Sequence, residues 1–170
     1  MHKAFLNFHE FFIEFLSEKR YSFYMDLRNQ FSQILQSFAQ GIQLPNLKLD
    51  EKQCCELCIN DKSNIFIQFN EEQKACSFIC KIGELNEEYL ERFCDCLLKA
   101  NADWDTTQGL TLSKEQNSKN IWIGYQVPIL NLTTEAFASI FRKFIDNVKV
   151  WEGYAQQMYQ GELPDALAAF

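Results

Sequence analysis

The side chains with chemical potential in this chain are seven cysteines, at positions 54, 55, 58, 76, 80, 94 and 96, and two histidines, His2 and His9. Such a set could chelate a metal or provide a catalytic thiol, and spacing argues against both. Cys55 and Cys58 are three apart in a run that reads as a strand, so they point to opposite faces. Cys76 and Cys80 share a face, but four residues of strand hold them roughly 13 Å apart at about 3.3 Å per residue. Cys94 and Cys96 lie about 200° apart around a helix axis. The single Cys-x-x-Cys has no matching second pair, and a Cys–His dyad would need His2 or His9 beside a core thiol. Buried free cysteines acting as small hydrophobes are the better account, and neither metal nor cofactor is expected. No phosphate-cradling glycine loop or serine elbow occurs. The acidic pair Glu87-Glu88 reads as charge complementing a helix start, not as a catalytic dyad. These residues point away from an enzyme.

Composition points towards a binder. Phenylalanine takes 16 of 170 positions against 6 glycines and 3 prolines, more aromatic surface than one core of this size readily buries, so part of it is expected to meet a partner. The net charge of −7, with no basic cluster, disfavours nucleic acid and anionic membranes, which a basic face would have to neutralise. A polypeptide partner fits better. The apolar run Ala4–Leu16 is interrupted by Asn7, His9, Glu10 and Glu14 and lacks a basic leader and a cleavage site, so it does not read as a signal peptide. It is too short and too charged to span a bilayer, and its acidic polar face suits neither a membrane surface nor stable insertion. An odd number of thiols and no export signal imply a reducing cytoplasm.

The elements that would position these residues follow from periodicity. Phe5, Phe8, Phe12, Phe15 and Leu16 recur at helical spacing over about 3–19. A second helix covers about Leu27 to Gln40, with Phe31, Ile34, Leu35 and Phe38 on one stripe and Gly41 in the position of a C-cap glycine. Three strands follow, Cys54–Ile59, Ile65–Phe69 and Ala75–Ile82, and their short polar turns imply an antiparallel meander. A helix from Asn86 to Ala100 comes next, capped by Asn86. Two more strands, Gly109–Ser113 and Asn120–Val127, lead to a long helix from Thr133 or Thr134 to about Tyr159. The fold class is α+β: a twisted antiparallel sheet of about five strands with helices packed on it, plus an extra N-terminal helix. Residues 1–24 read as an N-terminal extension, 25–160 as one domain, and 161–170 as a loose tail.

From residue 27 to about 158 this order resembles the class I type III secretion chaperones, the CesT/Tir-chaperone family. The resemblance rests mainly on the second half. Leu97-Leu98-Lys99-Ala100-Asn101 ends a helix and leads to Gly109-Leu110-Thr111-Leu112-Ser113. Ile121-Trp122-Ile123-Gly124-Tyr125 and Val127-Pro128 follow, then a long helix ending near Trp151. The first half adds Leu47-Lys48-Leu49-Asp50 before three short strands.

The resemblance implies a bacterial cytoplasmic, non-enzymatic virulence chaperone. It would work as a homodimer holding a non-globular segment near the N-terminus of a secreted effector in a secretion-competent state. The alternative is an adaptor or regulatory domain of the same fold acting on a secretion-apparatus component. The expected client-binding residues are Phe31, Ile34, Leu35 and Phe38 on the helix and Ile65, Ile67 and Phe69 on the second strand. The expected dimer-interface residues are Leu90, Phe93, Leu97 and Trp104, with Trp122 an outside candidate. Each of these also has a reading as ordinary monomer core, and Trp151 reads as a core anchor.

Overall fold

The computed structural model describes residues 27–168; the expected helix over 3–19 and the extension over 1–24 lie outside them. Helix α1 covers 27–41 and buries Leu27, Phe31, Ile34, Leu35 and Phe38, the stripe that the three-to-four spacing predicts. Its end differs from the expected Gly41 cap. Helical bonding continues past Gly41, with the Ile42 N–H donating to Phe38 O at 3.1 Å. Gln43 takes the left-handed conformation at φ 60°. The Gln43 N–H donates to Gln40 O (3.1 Å) and the Leu44 N–H to Ala39 O (2.8 Å), the paired bonds of a Schellman motif. A β-carbon is unfavourable in that conformation. Gln43→Gly is therefore expected to raise stability by about 0.5–1 kcal/mol, read as a Tm increase of a few degrees.

Five strands follow: β1 (Cys54–Ile59), β2 (Ser63–Asn70), β3 (Ala75–Glu84), β4 (Thr111–Lys114) and β5 (Asn120–Pro128). They form one antiparallel sheet in the order β1-β2-β3-β5-β4. The β1–β2 turn places Asn60 and Asp61 at φ 53° and 55°, a conformation these two residue types tolerate well. Between β3 and β4 come a 3-10 turn (Glu87–Tyr89), helix α2 (Leu90–Ala102) and a short helix α3 (Trp104–Thr107). As expected, Asn86 is an N-cap, its Oδ1 accepting from the Glu88 N–H at 3.2 Å. Helix α3 was not foreseen. Beyond it Gln108 and Gly109 are both left-handed, so β4 begins at Thr111 and not at Gly109. The last helix, α4 (Thr134–Tyr159), is capped by Thr133, whose Oγ1 accepts from the Ala136 N–H at 3.2 Å. It crosses β3 at a bulge between Lys81 and Gly83, where a β-carbon on Gly83 would lie 2.8 Å from Ala155 Cβ.

Strand alternation gives the sheet two unlike faces. Leu57, Ile65, Ile67, Phe69, Cys76, Phe78, Cys80, Ile121, Ile123 and Leu112 share the core side and are buried. Phe31 of α1 stacks on Phe69 at 5.8 Å, and Phe137 of α4 meets Phe31, Phe38 and Phe78 edge-on at 5.9, 5.0 and 5.4 Å. Nine phenylalanines fall among the described residues, at 31, 38, 66, 69, 78, 93, 137, 141 and 144, and all but Phe66 are buried. The expectation that aromatic excess meets a partner therefore fails for this part of the chain, because interlocked rings fill its own core. Trp151 is buried, as a core anchor should be.

The tail is also corrected. Gly161, at φ 85°, ends α4 with its N–H on Met158 O (3.1 Å) and the Glu162 N–H on Gln157 O (3.0 Å). The chain then folds back to bury Pro164 and Leu167, so residues 161–168 are docked and not loose.

Candidate peptide-binding groove

The two edges of the sheet are finished differently. On β4 the side-chain amide of Asn101 imitates a neighbouring strand: its Nδ2 donates to Leu112 O and its Oδ1 accepts from the Leu112 N–H, both at 2.8 Å. On β1, Gln53 O accepts from the Phe69 N–H at 2.9 Å, and antiparallel bonding alternates, so the odd residues of β1 face β2. The even residues face outward. Cys54 is satisfied by Asp50, whose Oδ1 accepts from the Cys54 N–H and whose own N–H donates to Cys54 O, both at 2.8 Å. The outward amides of Glu56 and Cys58 meet no partner among the described residues. This is an open strand edge of two residues.

Beside that edge runs a groove of about 570 Å³. Its floor is Leu57 and Ile59 of β1 with Phe38 and Phe141. One wall is the end of α1 and its exit, Ser37, Gly41, Ile42 and Leu44; the other is α4, with Thr134, Glu135, Ala138, Arg142 and Ile145. Ile42 and Leu44 are 40% and 46% exposed, held at the rim by the Schellman turn. Two charged groups interrupt the apolar lining. Glu135 is committed to the start of α4: its carboxyl lies below the usual value, first through its own backbone N–H and then through the Thr133 hydroxyl. Arg142 has no hydrogen-bond or ion-pair partner among the described residues. Two smaller clefts, of about 390 and 280 Å³, are framed by charged or amide side chains such as Lys62, Glu152 and Gln108.

All seven expected client-binding residues, Phe31, Ile34, Leu35, Phe38, Ile65, Ile67 and Phe69, are buried in the monomer at 6% exposure or less. Of these, only Phe38 lines the groove, as part of its floor. Strand alternation and helical stripes report which side faces the core, and here α1 and the sheet face each other. The groove-rim residues Ile42 and Leu44 were missed. Their signal was two apolar side chains following Gly41, on either side of Gln43 and shortly before Pro45.

The expected dimer contacts divide. Phe93 and Leu97 are buried within the protomer, and Leu90 is half-buried against the same core, so the first two are not presented to a second copy. Trp104 is 76% exposed. Trp122 is half-buried on the opposite face of the sheet, 6.3 Å from Phe66. Leu98, 71% exposed, was missed. Leu98 lies one residue, about 100°, further round the helix than the buried Leu97, on the side away from the core.

The thiols are dispersed. Cys55, Cys76 and Cys80 are buried on the core side, and burial pushes each up to about 12, which leaves almost no thiolate near neutral pH. Among the described residues no group of three or more metal-ligating side chains comes together. Cys58 is the exposed cysteine. It is expected to react with iodoacetamide at pH 8 at least about ten times faster than Cys55, Cys76 or Cys80, read by peptide mass spectrometry.

With this geometry in place, comparison gives the chain relatives. Residues 33–152 match the Tir chaperone protein (CesT) family. No curated protein sequence matches significantly. Among solved structures, a chain of the ExsC–ExsE complex superposes with TM-score 0.63 at 20% identity, covering 73% of this chain and 92% of that one. The HopA1–SchA chaperone–effector complex gives 0.62 at 14%, covering 76% and 95%. The Yersinia pestis type III secretion chaperone SycH, solved with a stable fragment of YscM2, gives 0.55 at 14%, covering 71% and 98%. At these identities the superpositions speak for the fold. The family match spans well over half the chain and agrees with them: the chain belongs to the Tir chaperone protein (CesT) family.

Proposed function

We propose that this protein is a type III secretion chaperone that holds a non-globular segment near the N-terminus of an effector in the groove between α1, β1 and α4. The observation that carries this reading is the apolar groove of about 570 Å³ lying directly beside the open edge of β1. An extended client would pair its backbone with the outward amides of Glu56 and Cys58, which gives affinity with little dependence on client sequence. Its apolar side chains would meet Ile42, Leu44 and Ile145. That burial offsets the entropy lost when a disordered segment is ordered. Family membership and the chaperone–effector neighbour support the same reading. No bond is made or broken in such a role, so no catalytic residue is assigned. Among the described residues no helix is long and apolar enough to cross a membrane, and the site of action proposed is the bacterial cytoplasm.

The test is co-expression with the N-terminal hundred or so residues of candidate effectors. A stable complex that slows modification of Cys58 supports the reading. Capture of secretion-apparatus proteins alone would favour the adaptor role instead.

A homodimer belongs to the same proposal, with its contact moved to the exposed pair Leu98 and Trp104. Leu98→Asp with Trp104→Ala is expected to convert a dimer to monomer in light scattering at micromolar concentration, with thermal stability of the protomer kept. A wild-type chain that is monomeric at that concentration would remove this part of the proposal.

A further inference from the structure

Two unengaged charges of opposite sign flank the open edge of β1, one on each face of the sheet. Glu56 is exposed and makes no hydrogen bond or ion pair among the described residues. It alternates with the buried Cys55 and Leu57, so its side chain stands on the outer face, beside Phe66 of β2 and away from the groove. Arg142 lies on the other side, in the α4 wall of the groove, and is likewise without a partner among the described residues. We infer that these two charges set the sequence class and the register of the client. It is an extended segment with a basic residue opposite Glu56, apolar residues alternating with it towards the groove, and an acidic residue on the groove side to meet Arg142. This rests on the groove being the client site.

The edge fixes where such a segment can pair. Asp50 occupies the outward N–H and carbonyl of Cys54, which confines pairing to Glu56 and Cys58. In an added strand the residue opposite Glu56 shares its face, with β-carbons about 4.5–5.5 Å apart, while the residue opposite Leu57 turns to the groove. The other neighbours of Glu56 on that face are uncharged: Phe66 across the strand pair, and Cys54 and Cys58 two positions along. Asp50 adds to its field, for the Cys54 thiol is raised first by burial and then by the carboxylates of Asp50 and Glu56. In the groove Glu135 is engaged at the start of α4, which leaves Arg142 as the available charge. A slip of one residue would turn the client's apolar side chains outward and its basic residue towards Arg142. A slip of two keeps the apolar side chains in the groove but takes the basic residue off Glu56. Apolar alternation alone cannot reject that second slip, and the charge can.

The test pans a display library of random short peptides on the full chain and measures the selected peptides by fluorescence anisotropy. Selected peptides should carry a basic residue alternating with apolar ones, and an acidic residue an odd number of positions from the basic one. Glu56→Lys should weaken a selected peptide about 5-fold, and exchanging that peptide's basic residue for glutamate should restore it. Arg142→Glu should weaken it by a similar factor, restored when the peptide's acidic residue becomes lysine. Damage to the fold would not be reversed by a change in the peptide. The same charge preferences in peptides selected by the native chain and by both variants overturn the inference. If those peptides still shield Cys58 from iodoacetamide, the groove remains the client site and only the charge code is lost. Peptides that bind yet leave Cys58 reactive sink the groove as client site, and the inference with it.

Discussion

Replacing Ile42 and Leu44 together by aspartate is expected to weaken effector binding by about 100-fold or more while the domain stays folded. Both side chains are roughly half exposed in the free protein, so each still has apolar area to bury against a client. Completing that burial is worth about 1 kcal/mol per side chain, from a full value of about 1.5–3 kcal/mol. An introduced carboxylate adds a desolvation cost where a client would cover it. Together these exceed the 2.7 kcal/mol or so that corresponds to 100-fold. Stability should change by only about 0.5 kcal/mol, because neither side chain is buried in the core. Calorimetric titration with an effector segment and a thermal melt check both halves. An affinity within threefold of the native chain would exclude these two residues as client contacts.

Phe31→Ala is expected to cost about 3–5 kcal/mol of folding stability, a large share of the 5–15 kcal/mol typical of a domain. The ring is fully buried, stacked on Phe69 and edge-on to Phe137, and little can move in to fill its place. Its periodicity is compatible with both core and groove, and this variant separates the two. A groove residue would lose client affinity and keep its urea midpoint. A core residue should lose its midpoint and, in the fraction still folded at low temperature, keep its affinity. A variant that melted like the native chain but no longer bound client would restore Phe31 as a contact.

Most of the architecture was legible in local pattern. Helical stripes located α1, α2 and α4, alternation located β1 to β3 and β5, and Asn86 and Thr133 marked helix starts as N-caps. The resemblance also pointed at residues whose roles became visible only in three dimensions. Asn101 closes the β4 edge, and Asp50 folds the loop before β1 onto its first residue. Boundaries were less legible where consecutive left-handed residues decide them, as at Gln108 and Gly109. The placement of the expected site residues was the weakest part. A buried stripe and a binding stripe have the same composition and period, so Phe31, Ile34, Leu35, Phe38, Ile65, Ile67 and Phe69 could not be sorted from the chain alone.

By itself, then, the sequence determined the class of fold and the order of its main elements, because these depend on spacings of a few residues. Only the tertiary structure decided which apolar residues remain available to a partner. That depends on which helix covers which face of the sheet and on how each strand edge is finished. The Asn101 amide lies against β4 across 11 positions of sequence, while β1 keeps two amides without a partner among the described residues, beside Ile42 and Leu44. Exposure is a property of the packed whole, and no local period encodes it.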